Sequence, residues 1–138
     1  VLQSGDPKGP EIGYLDPKNG EERHVPLEIR VPDLPETLYN STFEDVGLYK
    51  ATPILPFATQ GTLGWAHSEQ AVDDGSSQFF IFLYEPELTP AGRNLIDGRN
   101  AAFGYVVEGF ETLEKLGIDD QIVSIKVLDG ANRLKPHA

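Results

Sequence analysis

Three histidines, His24, His67 and His137, are the side chains most suited to metal binding or acid–base work. No two of them have the helical or strand spacing that would bring both to one metal ion. The carboxylate pair Asp73-Asp74 sits in a Gly/Ser turn and could hold calcium, but no EF-hand spacing surrounds it, and a solvated turn is the stronger reading. Gly75-Ser76-Ser77 lacks the G-x-S-x-G elbow of serine hydrolases. Neither G-x-G-x-x-G nor G-K-[ST] occurs, so phosphate loops are absent. Asn40-Ser41-Thr42 is a formal glycosylation acceptor that matters only on a secretory route. With no cysteine, thiol catalysis, disulfide scaffolds and iron–sulfur sites are excluded. What remains is an apolar strand headed by a polar amide, Gly75-Ser76-Ser77-Gln78-Phe79-Phe80-Ile81, and after it Leu95-Ile96-Asp97-Gly98-Arg99-Asn100-Ala101-Ala102-Phe103-Gly104.

The elements that carry these residues are short. The chain has 138 residues, enough for one domain burying about two-thirds of its unfolded surface. Its 14 glycines and 11 prolines, set between short apolar runs, are the signature of turns joining many strands. Asp6-Pro7-Lys8-Gly9 and Asp16-Pro17-Lys18-Asn19-Gly20 read as turns. Residues 25–30 alternate apolar and polar as a half-buried strand, and Pro32 and Pro35 are expected to keep 31–38 extended. Residues 62–66, 78–83 and 101–107 read as strands, 85–94 as a long loop, and 121–128 as a closing strand. Phe110, Leu113 and Leu116 form the apolar stripe of one short helix, with Gly117 where a helix end favours positive φ. The expected fold is mainly β, an antiparallel barrel or sandwich with a helical cap, forming a single domain over 1–138 with an irregular stretch at 7–50.

The charge narrows the partners. A formal net charge of −11, spread over both halves, makes nucleic acid and anionic lipid poor partners. The apolar runs are too short for a membrane span. The chain contains no methionine and opens on Val1-Leu2-Gln3, so it reads as processed or as part of something longer.

The 75–81 segment resembles the G-S-Q-F-F-I signature of cyclophilins, and 95–104 resembles their L-D-G-x-x-x-x-F-G segment. Val1-Leu2-Gln3-Ser4-Gly5-Asp6 is similar to the end of their Q-G-G-D strand, and 62–68 to the strand lining the same groove. Pro53-Ile54-Leu55-Pro56-Phe57 and Glu87-Leu88-Thr89-Pro90 resemble the divergent cyclophilins of the plastid thylakoid lumen and of cyanobacteria, a subgroup that residues 7–50 also follow. The resemblance implies a cyclophilin-like antiparallel β-barrel, peptidyl-prolyl cis–trans isomerisation, no cofactor and a thylakoid-lumen location. Such a site needs no nucleophile, metal or base. It holds the proline ring in an apolar pocket, fixes the flanking carbonyl and donates a hydrogen bond to the imide nitrogen.

Position by position, the resemblance makes Phe80 a wall of the proline pocket and Gln3 an anchor of the substrate backbone. It lays Ala66, His67 and Ser68 along the substrate strand and sets Gln78 beside the groove. Val1, Leu95, Ile96 and Asn100 fall at the remaining pocket positions. Asn100 stands where the family usually has histidine, Leu95 where it often has tryptophan, and His67 where many members have asparagine; Trp65 is expected to face away from Ala66. The family's catalytic arginine, its pocket phenylalanine, its first strands and its first helix would lie before Val1. On that alignment this chain alone is a weak isomerase, since losing a comparable preorganised donor costs about 10²–10³ in rate. Its expected partners are proline-containing polypeptide segments. The alternative is an inactive scaffold or assembly subunit of a large thylakoid membrane complex. Each residue also has a plainer role: Phe79 and Phe80 alternate faces, so one is core, and Gln3 and Gln78 could merely cap strand ends.

Overall fold

The architecture comes from a computed structural model that describes residues 1–6, 12–83 and 94–135. The expected loop at 85–94 (all but Asn94), the 87–90 resemblance and His137 lie outside the described residues, as does most of the 6–9 turn. The alternation and β-branched or aromatic content that single out strands produce six of them among the described residues: β1 (Leu2–Ser4), β2 (Glu28–Ile29), β3 (Leu38–Tyr39), β4 (Thr62–Trp65), β5 (Phe79–Ile81) and β6 (Ala102–Tyr105). Four make an antiparallel sheet in the order β1-β5-β4-β6, and β2 pairs with β3. Among the described residues the fold is mainly β with one short α-helix, as the sequence leads one to expect.

The chain divides into Val1–Glu108 and Gly109–Ala138. The first unit contains two apolar clusters. Leu27, Ile29 and Val31 are buried while Glu28 and Arg30 face solvent, so the expected alternation holds, and Phe43 completes their cluster. Phe57, Phe80 and Phe82 form the other, with Ala66, Ile96 and Ala102 packed against it. Phe80 is the buried member of its pair and Phe79 the half-buried one, as alternation requires. Gly20 of the Asp16–Gly20 turn has φ 71°, and its N–H donates to the Asp16 carbonyl at 2.7 Å.

Residues 31–38 do not stay extended. Residues 32–36 turn, the Leu34 N–H donates to the Val31 carbonyl at 3.3 Å, and the segment joins β2 to β3 as a hairpin. Proline's fixed φ suits a turn as well as a strand, and Val31, just before Pro32, is buried where the turn begins.

In the second unit α1 (Phe110–Leu113) is a single turn with Leu113 buried and Glu111 near its positive end. Positive φ falls at Gly109 (88°), before the helix, and at Gly130 (94°), but not at Gly117, whose N–H instead donates to Asp120 Oδ2 at 2.7 Å. Residues 121–128 pair with nothing among the described residues and form no strand; Val123 is 96% exposed and Leu128 92%. Alternation supplies the two faces of a strand, but the strand itself exists only in a ladder. Among the described residues no helix is long and apolar enough to cross a membrane.

Candidate functional site

Antiparallel pairing sets Gln3 on β1 directly opposite Phe80 on β5, and Gly64 on β4 is opposite Phe80 from the other side. Gln78 precedes β5 by one residue, which sets it just past the Ser4 end of β1 and diagonal to Gln3. Gln3 Nε2 donates to Gln78 Oε1 at 2.7 Å. That pairing leaves Gln78 its NH₂ as donor and Gln3 its carbonyl as acceptor, complementary to the acceptor and donor of one peptide group.

The amide pair lies at a cleft of about 490 Å³ that Ala66, His67 and Ser68, the residues following β4, also line. Five of the ten expected site residues thus meet. The other five are elsewhere. Phe80 is 5% exposed and does not line the cleft; its ring stacks on Phe57 with centroids 5.4 Å apart, and Ile96 joins the same cluster. Ala66 belongs to both the cleft lining and this cluster, so the aromatic core abuts the cleft. Asn100 Nδ2 donates to the Trp65 carbonyl at 3.1 Å, while Leu95 is 82% exposed, and Val1 is exposed too. The loop bearing Leu95, Ile96 and Asn100 is fixed to Phe57 by two side chains: Phe57 N–H donates to Asp97 Oδ1 at 2.7 Å, and Asn94 Nδ2 donates to the Phe57 carbonyl at 2.6 Å.

His67 lies between two main-chain carbonyls, with Nδ1 2.8 Å from that of Ser68 and Nε2 2.5 Å from that of Arg99, and a ring with a single N–H donates to one of them. It sits between the cleft wall and the loop before β6. Beyond it lies a second, apolar cavity of about 340 Å³, which Trp65 and Phe103 help line. These two rings meet edge to face, centroids 5.4 Å apart, so Trp65 does pack away from the aromatic cluster that Ala66 joins.

Sequence reasoning missed the far side of the cleft. Glu22 and His24 line it, brought there by a strap folded back on itself through a Leu15–Glu22 bridge. Ser76 clasps both legs: its hydroxyl accepts from Tyr14 N–H at 2.8 Å and donates to the Arg23 carbonyl at 2.7 Å. Gly13 must be glycine for this approach, since a Cβ there would stand 2.3 Å from Ser76 Oγ and 2.4 Å from Glu22 Oε1. Nothing in the local sequence marks a contact between residues some fifty apart.

Asp74 is the fourth charged or titratable side chain of the lining, with Glu22, His24 and His67. Burial opposes its charge. Side-chain and backbone hydrogen bonds from Ser68, helped by the nearby His67 and His24, outweigh that and hold its carboxyl below the ordinary 3.8. The Ser68 N–H donates to Asp74 Oδ1 at 2.8 Å. A carboxyl depressed in the folded state adds stability above its unfolded value and loses it as pH falls through the folded one. Asp74→Asn is therefore expected to flatten the stability–pH profile below about pH 4, with wild type and variant converging in stronger acid; urea denaturation across that range measures it. Among the described residues no group of three or more His, Asp or Glu is arranged to hold a metal ion.

The family model for cyclophilin type peptidyl-prolyl cis–trans isomerases matches residues 1–130. A protein of Synechocystis described as a putative thylakoid lumen peptidyl-prolyl cis–trans isomerase is 50% identical over 134 residues, 97% of this chain and 35% of that protein. A chloroplastic peptidyl-prolyl cis–trans isomerase of Arabidopsis thaliana is 46% identical over 134 residues, 97% of this chain and 31% of that protein. A second from the same plant is 33% identical over 118 residues, 83% of this chain and 24% of that protein. The chain spans about a third or less of the length of the curated relatives it matches.

Proposed function

The chain belongs to the cyclophilin-type peptidyl-prolyl cis–trans isomerase family, and on that premise we propose that its polar cleft binds proline-containing polypeptide segments and speeds rotation about the X–Pro bond in a thylakoid lumen. The observation that carries this is the Gln3–Gln78 amide pair at 2.7 Å beside the Ala66–His67–Ser68 wall. X–Pro rotation must overcome about 18–20 kcal/mol of amide resonance, and no bond is made or broken. A site lowers that barrier by holding one side of the bond while the other turns, with its dipoles already oriented for the twisted state.

Here the Gln78 NH₂ and the Gln3 carbonyl grip the backbone on one side of the proline, and Ser68 extends the wall along which the segment lies. The proline ring is directed at the Phe80–Phe57–Ile96 cluster, which reaches the cleft through Ala66. Leu95 and Asn100, on the loop clamped to Phe57, are the remaining proposed contacts. The lumenal location is supported by the relative described as a thylakoid lumen isomerase and by the chloroplastic ones.

In an isomerisation assay on the full chain, Gln78→Ala is expected to lower kcat/KM about tenfold, the worth of one well-placed hydrogen bond. Unchanged kcat/KM would remove Gln78 from the site. Absence of isomerisation in the wild type would favour a second reading, a groove-bearing assembly subunit of a large thylakoid complex. What favours that reading is the near-complete burial of Phe80 beneath its neighbours.

A further inference from the structure

Resting on the peptide-binding function proposed for the cleft, we propose that it selects proline-containing segments carrying a lysine or arginine close to the proline. The neutral amides Gln3 and Gln78 share the lining with Glu22 from the strap and Asp74 from the turn before β5. The lining holds these two carboxylates, the imidazoles of His24 and His67, and neither lysine nor arginine.

Both carboxylates are positioned by the fold. Glu22 is fixed by its bridge to Leu15 and by the Ser76 clasp on either leg of the strap. Among the described residues its close ionic neighbour is His24, with Nε2 3.4 Å from Glu22 Oε1. Asp74 is oriented by the Ser68 N–H, a residue of the substrate wall itself, so its charge sits beside the path proposed for the segment. A lysine or arginine near the proline would bring its cation to these carboxylates while the amides hold its backbone. An acidic side chain there would meet like charge. Arginine, able to bridge a carboxylate with two parallel N–H bonds, should do at least as well as lysine. The chain's charge of −11 favours the same sign of partner at longer range.

The test is the affinity of the full chain for labelled peptides of one length that differ only in having Lys, Ala or Glu beside the proline, read by fluorescence anisotropy. The Lys peptide is expected to bind about fivefold more tightly than the Ala peptide, the scale of two half-exposed ion pairs, and the Glu peptide more weakly than either. High salt should erase these differences. Glu22→Gln and Asp74→Asn should each lower the Lys:Ala ratio about twofold, and the double variant should bring it to one. Equal affinities for Lys and Ala peptides, or a Lys preference that survives the double variant, would overturn the inference while leaving peptide binding intact. If the wild type binds none of the peptides, the proposed binding function falls and this inference with it.

Discussion

Phe80→Ala is expected to destabilise the protein by about 3–5 kcal/mol and to remove most of the isomerase activity proposed for it. The ring is 5% exposed, stacks on Phe57 at 5.4 Å, and shares its cluster with Phe82, itself 6.0 Å from Phe57. Truncation removes one ring from a three-ring cluster whose other members are pinned. Phe57 is held by Asp97 and Asn94 through its backbone, so it cannot move in to fill the space. Urea denaturation should show the midpoint falling with little change in slope. A loss below about 1 kcal/mol would mean that the ring is not packed as described. The same substitution tests the site, because the proline ring is proposed to bind against this cluster. Activity is compared with Phe80→Leu, which keeps most of the apolar volume: if the leucine variant is stable but slow, the aromatic face matters to the substrate. If both variants, assayed while folded, match the wild type, Phe80 has no part in the pocket.

Gly98→Ala should be nearly as damaging, by roughly 2–5 kcal/mol. Gly98 has φ +81°, where a Cβ is strained, and that Cβ would stand 2.4 Å from Cγ and 2.5 Å from Cδ2 of Phe43. Phe43 cannot retreat easily, being 5% exposed among Leu27, Ile29 and Val31, with its own N–H bonded to the Gly98 carbonyl at 2.9 Å. The loop must then shift, and Ile96 and Asn100 shift with it, so kcat/KM should fall alongside stability. Phe43→Leu in the Gly98→Ala background separates the two causes: partial recovery isolates the steric part, and the remainder is backbone strain. A change under about 1 kcal/mol in the single variant would show that Phe43 can swing aside.

Strands β4, β5 and β6 were legible because each is marked twice, by alternation and by strand-forming residues, and each finds partners in the sheet. Residues 121–128 carry the same marks and form no strand, because alternation does not supply a neighbour. Residues 31–38 failed differently: the prolines fixed φ correctly but left ψ open, and ψ separates a strand from a turn. In the cleft, Gln3, Ala66, His67, Ser68 and Gln78 could be named from motifs, since they lie on or next to strands in fixed register. Glu22 and His24 could not, because a strap held by one serine hydroxyl leaves no periodic trace.

The contact between Gln3 and Gln78 closes 75 residues of chain, while β4 and β5 lie much nearer to each other in sequence. Loop-closure entropy therefore sets the order of assembly: the β4–β5 ladder can form first, and β1 docks onto its edge late. β1 has three residues and one neighbouring strand, so it is also the sheet's easiest part to release. Half of the amide grip rides on that strand. Opening of the cleft and fraying of the fold are thus one motion, and a bound segment that spans Gln3 and Gln78 would act as a staple, slowing the first step of unfolding.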